Sequence, residues 1–186
     1  PAFNEEKNIA QVIKNATSVG DVIVFDNNSS DKTKKISLDL GSKVINVRKS
    51  GYEEVILKIV NFFQNSNYDI LVIIDGDGEV GLSFLAEVTS LIEGCDIVIG
   101  NRDIKKRWSE RLICFLFDKF YGIKDIYCGF KIITNKGISK NILKNTMGTS
   151  IVNKKAIVKN LSLRVDIRTD ESKLGDSFSV NIKILF

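Results

Sequence analysis

Histidine is absent from the 186 residues of this chain. Its absence excludes a Ser-His-Asp triad, a histidine general base and any metal site that needs an imidazole ligand. The three cysteines, Cys95, Cys114 and Cys128, contain no Cys-x-x-Cys pair. That pattern favours free thiols in a reducing compartment over a disulfide framework or a zinc site, and we therefore expect a cytoplasmic protein.

Proline, linkers and long apolar runs are equally scarce. The one proline is residue 1, and no internal repeat or low-complexity linker is visible. No apolar run approaches the ~20 residues that a membrane-spanning helix needs. The net charge of +4 is too small to predict nucleic-acid binding. Length and composition predict one domain over residues 1–186 with a sizeable core.

The most informative stretch is the apolar run at residues 70–74, which leads directly into Asp75 and Asp77. A short apolar run that ends in a turn is typical of a strand buried on both faces, as in parallel α/β sheets. Ligands of such sheets bind outside the carboxyl ends of the strands. Two neighbouring carboxylates repel each other unless a cation or a raised pKa relieves them, and Gly76 and Gly78 allow a ligand to approach. We predict a site for a divalent cation that carries phosphates, with a polar strand-end turn as the alternative.

Strand and helix patterns alternate over the first half of the chain. We predict a first helix with Asn4 as its N-cap, followed by strands at 21–25, 44–47, 70–74 and 96–99. Helices that end near 40, 63 and 92 separate these strands. The second half is less regular, with helices predicted at 108–121, 136–143 and 151–158 and strands at 130–133 and 161–167. The fold class is α/β, with a mostly parallel central sheet flanked by helices on both faces. We expect residues 1–104 and residues 105–186 to form two halves of the one domain.

Six short motifs, taken in order, are similar to those of known transferases. Pro-Ala-Phe-Asn-Glu-Glu at 1–6, Val-Phe-Asp-Asn-Asn-Ser-Ser-Asp at 24–31, Asp-Gly-Asp at 75–77 and Ile-Gly-Asn-Arg at 99–102 resemble family-2 glycosyltransferases with the GT-A fold. Asp-Ile-Tyr-Cys-Gly-Phe-Lys at 125–131 and Glu-Ser-Lys-Leu-Gly at 171–175 resemble the polyprenyl-phosphate branch, which includes dolichol-phosphate mannosyltransferase. That family usually has one more strand before the opening loop, so we expect the chain to begin inside the usual domain.

The resemblance implies an activity, a cofactor and an acceptor, with residues 1–104 as a nucleotide-sugar-binding half and residues 105–186 as an acceptor-side half. An inverting transferase of this branch moves a hexose from a GDP-mannose- or UDP-glucose-type donor to a polyprenyl or dolichyl phosphate, with Mg²⁺ or Mn²⁺ bound. The lipid acceptor implies a peripheral position at the cytoplasmic membrane face, and no nucleic-acid partner is expected. The basic and aromatic segment at 105–121 suits an anionic membrane surface, although a core helix with a solvated basic end has the same pattern.

The same resemblance assigns residues to the site. Asp75 and Asp77 would hold the metal, with Glu79 joining it, and Asp77 and Asp125 would act in catalysis. Asp125 has a second interpretation, in which it orients a basic neighbour. The remaining donor-binding positions are Pro1, Phe3, Glu5, Val24, Asp26, Gly76, Arg102, Arg168 and Lys173.

One stretch departs from the family. Gly-Tyr-Glu-Glu-Val at 51–55 stands where small residues are usual, and bulky acids there would alter or block the donor pocket. A degenerate chain that binds a nucleotide sugar or a protein without catalysis therefore remains an alternative. A sugar nucleotidyltransferase is a weaker one, because its glycine-rich basic opening loop is absent.

Overall fold

The computed structural model describes residues 1–48, 51–104, 108–138 and 155–164. Within those ranges helices and strands alternate in the order predicted for an α/β protein. The strands are β1 (Ile23–Asp26), β2 (Lys43–Asn46), β3 (Ile70–Ile73), β4 (Ile97–Arg102), β5 (Lys131–Thr134) and β6 (Val158–Leu163). The α-helices are α1 (Ile9–Ala16), α2 (Thr33–Asp39), α3 (Tyr52–Gln64), α4 (Val88–Ile92), preceded by a 3₁₀ turn at Leu85–Glu87, and α5 (Trp108–Tyr121).

The strands pair in two sheets. β1 and β2 are parallel, with Ile23 opposite Lys43. The second sheet has the order β3-β5-β4-β6, in which β5 is antiparallel to both of its neighbours and β4 is parallel to β6. The strands β3, β4 and β6 therefore run in one direction and β5 runs against them. The predicted α/β fold with parallel strands is confirmed, and the reversed strand is a detail that an apolar pattern cannot reveal.

The first two residues connect the two sheets. The Ala2 amide donates to the Phe25 carbonyl at 3.0 Å, and the Asn27 amide donates to the Ala2 carbonyl at 2.9 Å, so Ala2 lies parallel to the end of β1. The Pro1 carbonyl accepts a hydrogen bond from the Gly76 amide, just beyond β3, at 3.0 Å. The carboxyl ends of β1 and β3 are thereby held on either side of this dipeptide.

Apolar side chains cover both faces of the four-stranded sheet. Along β4, Ile97 and Ile99 belong to one hydrophobic cluster, with Val55 and Phe63 of α3, while Val98 belongs to a second. The second cluster includes Leu85 from the 3₁₀ turn before α4. Because side chains alternate along a strand, this division shows helices packed on both faces, as the continuous apolar runs predicted.

Three local predictions were wrong in whole or in part. Helix α1 begins at Ile9, not near Asn4, whose backbone has a φ of 53° and lies in the left-handed region. The predicted helix at 151–158 ends in the first residue of β6, and residues 136–137 of the helix predicted at 136–143 form a turn. Strand β6 forms because it pairs with β4 over six positions, a long-range contact that local periodicity does not show. Residues 139–143 and 151–154 lie outside the described ranges.

Candidate functional site

Hydrogen bonds between two loops build the first wall of the site. The Asn4 amide donates to Ser29 Oγ at 3.0 Å, and the Ser30 amide donates to Asn4 Oδ1 at 2.9 Å. One residue further, the Glu5 amide donates to Thr33 Oγ1 at 2.7 Å. These bonds explain why Asn4 is not a helix cap, since its side chain serves the neighbouring loop. The loop after Ala2 is thus fixed against the loop after β1.

The residues predicted to bind the nucleoside differ in their exposure to solvent. Asp26 is buried at the end of β1, where its Oδ1 accepts a long hydrogen bond of 3.4 Å from the Ser29 amide. Glu5 is also buried, whereas Phe3 is half exposed. Val24 packs in a core cluster with Ile9 and other apolar residues, so it supports the wall from behind.

Asp75 is held between two elements at the end of β3. Its Oδ1 accepts a hydrogen bond from the Tyr52 hydroxyl, at the start of α3, at 3.3 Å. Its Oδ2 lies against Gly129, where an added Cβ would come within 1.9 Å of that oxygen. Burial, then the negative charge of Asp77, raises the pKa of Asp75 to about 6, although the charge of Lys131 opposes the shift.

Asp77 and Gly76 complete the strand-end turn. Asp77 Oδ1 accepts a hydrogen bond from the Glu79 amide at 2.9 Å, which leaves the other carboxylate oxygen of Asp77 for a ligand. Gly76 is buried, and a Cβ there would meet the Ala2 side chain at 3.1 Å and the Pro1 carbonyl at 3.2 Å. Glycine at position 76 therefore permits the close contact between the opening dipeptide and the end of β3.

Arg102, at the end of β4, lies at the centre of a second cluster of charged side chains, beside the one formed by Asp75 and Asp77. Its Nε donates to Asp125 Oδ2 at 2.8 Å, and its Nη2 donates to Asp125 Oδ1 at 3.2 Å. Glu79 at 3.8 Å and Glu110 at 3.9 Å lie around the same guanidinium. Burial disfavours the charged guanidinium, but the hydrogen bond to Asp125 and its charge prevail, so the pKa of Arg102 is raised.

Asp125 is completely buried and surrounded by donors. In addition to the guanidinium, it accepts hydrogen bonds from the Arg102 amide at 3.2 Å and the Tyr127 amide at 3.2 Å. The Cys114 thiol lies 3.7 Å from its Oδ1. A carboxylate that accepts several hydrogen bonds and a bidentate guanidinium is stabilised as an anion.

Three residues around Asp75 were not among those predicted. Tyr52 and Gly129 contact Asp75, and Lys131 is buried on β5, where its ammonium group donates to the Cys128 carbonyl. Burial lowers the pKa of Lys131, whereas the nearby charges of Cys128 and Asp75 act in the opposite direction. A lysine inside an apolar strand run was a signal for such a site, because a buried cation requires partners. No comparable feature of the sequence indicated the contact of Tyr52 with Asp75, apart from the departure of residues 51–55 from the family pattern.

The predicted metal ligands are only partly brought together. No three cysteine or acidic side chains in the described part of the chain converge as a complete metal site. Glu79 makes an ion pair with Arg102 at 3.8 Å, and its role as a third ligand stays a prediction. The pair Asp75 and Asp77 still fits a divalent cation, since Mg²⁺ is commonly held by one or two carboxylates with substrate phosphates and water. Arg168 and Lys173 lie outside the described residues, and their roles remain predictions.

Helix α5 has an exposed apolar surface. Trp108, Leu112, Leu116 and Phe120 recur every four residues, and Phe115 lies one turn beyond Leu112. The exposed fractions of Trp108, Phe115 and Phe120 are 77%, 64% and 71%. Such a contiguous patch is typical of an interaction surface. Among the residues that the structure covers, no helix combines the length and apolar character that a membrane crossing would require.

Charged side chains at the carboxyl ends of parallel strands define this molecule as a ligand-binding α/β protein. Residues 1–112 match the family model of Glycosyl transferase family 2, which is more than half of the chain, and the protein belongs to this family.

The chain is also similar to proteins of known sequence, one of which is a glycosyltransferase. The chain is 31% identical over 157 residues to Uncharacterized protein MJ0544 of Methanocaldococcus jannaschii, covering 72% of this chain and 69% of that protein. It is 35% identical over 107 residues to Protein RfbJ of Shigella flexneri, covering 55% of this chain and 81% of RfbJ. It is 29% identical over 150 residues to Glycosyltransferase AglJ of Haloferax volcanii, covering 73% of this chain but only 49% of AglJ.

Solved structures show the same fold. Glucosyl-3-phosphoglycerate synthase of Mycobacterium tuberculosis in complex with UDP has a TM-score of 0.68 at 19% identity, covering 94% of this chain and 73% of that one. The same enzyme with Mn²⁺, UDP and glucosyl-3-phosphoglycerate has a TM-score of 0.66 at 17% identity, covering 89% and 68%. The GT-A fold expected for this chain is confirmed.

Proposed function

We propose that this protein is an inverting glycosyltransferase that moves a hexose from a nucleoside-diphosphate sugar to a polyprenyl phosphate. One observation carries the proposal. The acidic pair Asp75 and Asp77 stands at the end of β3, and the buried pair of Arg102 and Asp125 stands at the end of β4, with Glu79 paired to Arg102. Carboxylates that hold a cation, with a guanidinium close by, suit a leaving group that departs as a diphosphate.

The donor is placed by the loops around β1 and β3. The wall formed by Pro1, Phe3, Glu5 and Asp26 would receive the nucleoside, and Asp75 and Asp77 would hold the divalent cation. When bound, Mg²⁺ or Mn²⁺ would neutralise charge on the diphosphate without proton transfer. The structural relative from Mycobacterium tuberculosis has been solved with both Mn²⁺ and UDP, which supports a divalent cation at this site.

Asp125 is assigned a positioning role. Its oxygens already accept hydrogen bonds from Arg102 and Tyr127, and it is fully buried, which suits orientation of Arg102. A phosphate acceptor is anionic at neutral pH, so the reaction has little need of a strong general base. Inversion follows when the acceptor oxygen attacks the anomeric carbon opposite the departing diphosphate.

The lipid part of the acceptor is suggested by α5. Its exposed stripe of Trp108, Leu112, Phe115, Leu116 and Phe120 is apolar, and Lys105, Lys106 and Arg107 precede it in the sequence. Aromatic residues beside basic ones bind at anionic membrane surfaces. We therefore place the protein peripherally at the cytoplasmic membrane face.

A transfer assay separates the candidate functions. The protein is incubated with Mn²⁺, radiolabelled GDP-mannose or UDP-glucose, and either a short polyprenyl phosphate or 3-phosphoglycerate. Label in the organic phase with the polyprenyl phosphate supports the proposal. Label that appears only in a water-soluble product of 3-phosphoglycerate would show that the acceptor is wrong. Donor binding in calorimetry without any product would show a binding module.

A further inference from the structure

The carboxylate of Asp75 is constrained at both of its oxygens by residues from distant parts of the chain. Tyr52, the first residue of α3, binds Oδ1 through its hydroxyl at 3.3 Å. Gly129, which precedes β5, lies so close to Oδ2 that any side chain there would overlap it. The rest of the turn is fixed independently, since Gly76 donates to the Pro1 carbonyl.

A carboxylate restrained in this way keeps one orientation before any ligand arrives. A free aspartate loses side-chain freedom when it binds a cation or a ribose, and that loss weakens binding. Hydrogen-bond partners behind a ligating carboxylate remove this loss by fixing its geometry, and their substitution commonly lowers metal affinity about 10- to 100-fold. Tyr52 is suited to this task because its ring is rigid and lies at the start of a helix packed in the core.

We propose that Tyr52 is a positioning residue that, opposite Gly129, presets Asp75 for the donor and its divalent cation. This inference rests on the proposed function, because it assumes that Asp75 meets the donor–cation complex. It also gives a role to the tyrosine that stands where the family usually has a small residue. Tyr52 thus strengthens the donor site in this chain.

The chain contains a matched control for the hydroxyl. Tyr68 precedes β3 and donates to Asp21 Oδ2, which precedes β1, at 2.7 Å. This second Tyr–Asp hydrogen bond lies at the amino ends of the strands, whereas Tyr52 and Asp75 meet at a carboxyl end. Tyr68→Phe therefore removes the same chemical group and the same kind of bond, far from the proposed site.

Binding, not turnover, provides the test. Mn²⁺ affinity is measured from its electron paramagnetic resonance signal, and UDP and GDP affinities by calorimetry with Mn²⁺ present, for the parent, Tyr52→Phe and Tyr68→Phe. We expect Tyr52→Phe to weaken Mn²⁺-dependent nucleotide binding about tenfold or more, and Tyr68→Phe to leave it unchanged. Gly129→Ala is a second variant, and we expect a loss at least as large because its Cβ must displace Oδ2. Thermal unfolding of each variant shows whether it is folded.

The outcomes distinguish the inference from the proposed function. If the parent itself shows no Mn²⁺-dependent binding of either nucleotide, the proposed function fails. If the parent binds and Tyr52→Phe binds equally well, the positioning role of Tyr52 is wrong while the proposed function stands. Equal losses in Tyr52→Phe and Tyr68→Phe would also overturn it, because the effect would then be general.

Discussion

Arg102 and Asp125 form a bidentate ion pair in which the guanidinium Nε and Nη2 lie 2.8 Å and 3.2 Å from the two carboxylate oxygens. The pair joins β4 to the loop that precedes β5, although the two residues are 23 positions apart. Asp125 has no exposed surface, so its charge depends on these partners. The planar fork of arginine matches a carboxylate in a way that lysine cannot.

Removing the guanidinium of Arg102 from this pair should destabilise the folded protein. Arg102→Ala leaves Asp125 as a buried, poorly compensated anion, and we expect the free energy of unfolding to fall by about 3–5 kcal/mol. Urea denaturation measures the change. Lys119→Ala, at an exposed position of α5, is the control and should change it by no more than about 0.5 kcal/mol.

A double substitution tests whether Asp125 works through Arg102. Adding Asp125→Asn to Arg102→Ala should cost much less than Asp125→Asn costs alone, since the two groups act as one unit. Independent, additive losses in stability and in turnover would contradict the positioning role and favour direct participation of Asp125 in catalysis.

The sequence predicted the strand ends better than the connections between them. Each predicted strand of the first half exists, because apolar runs bounded by polar turns depend on local pattern and burial alone. Asp26, Asp75 and Arg102 were placed at carboxyl strand ends for the same reason, and the structure has them there. The direction of β5 and the start of β6 at Val158, three residues before the strand predicted at 161–167, were not predictable, because both depend on pairing with β4.

The partners of the charged residues could not be predicted from the sequence either. The ion pair of Glu79 with Arg102 and the hydrogen bond of Tyr52 to Asp75 join residues 23 positions apart, and no local spacing indicates them. Glu79 was predicted to join the metal from the family resemblance, and its ion pair with the half-buried Arg102 is an additional contact that the resemblance did not indicate.

Donor binding should depend on a divalent cation through Asp77. Asp77→Asn keeps the size of the side chain but removes an anionic ligand, and we expect donor affinity with Mn²⁺ to fall at least tenfold, which corresponds to about 1.4 kcal/mol. Calorimetric titration of GDP-mannose and UDP-glucose, with Mn²⁺ and with EDTA, provides the measurement. In EDTA the parent and the variant should bind equally weakly. Unchanged affinity after both chelation and substitution would show that the cation site lies elsewhere.

Mn²⁺ affinity should also depend on pH and should fall as the pH falls. Burial and the charge of Asp77 raise the pKa of Asp75 to about 6, so protons compete with the cation from pH 6 downwards. Mn²⁺ affinity should be constant above pH 7 and fall by up to about tenfold for each pH unit below 6. A carboxylate with an ordinary pKa near 4 would show almost no change before pH 5. An affinity that is constant from pH 7.5 to 5 would contradict the assignment of Asp75.

The ionisation of Asp75 should also make the stability of the metal-free protein depend on pH. Because the pKa of Asp75 is higher in the folded chain than in the unfolded chain, its contribution to the stability of the metal-free protein is present below pH 4 and is lost as pH rises through 6. Mn²⁺ should therefore raise the melting temperature more at pH 7.5 than at pH 5. Thermal unfolding at both pH values, with and without Mn²⁺, measures the difference.

The exposed stripe of α5 should bind the protein to anionic lipid. Burial of a large apolar side chain contributes roughly 1.5–3 kcal/mol, so replacing Leu112 and Phe115 by glutamate should reduce binding to vesicles of phosphatidylglycerol and phosphatidylcholine at least tenfold. The matched control carries Val19→Glu and Leu38→Glu, which add the same charge at exposed apolar residues away from α5. Sedimentation with vesicles measures binding, and nucleotide affinity with Mn²⁺ should remain that of the parent in both variants. If the α5 variant and the control sediment equally with the vesicles, the apolar surface of α5 does not bind lipid, and the polyprenyl phosphate acceptor loses its structural support.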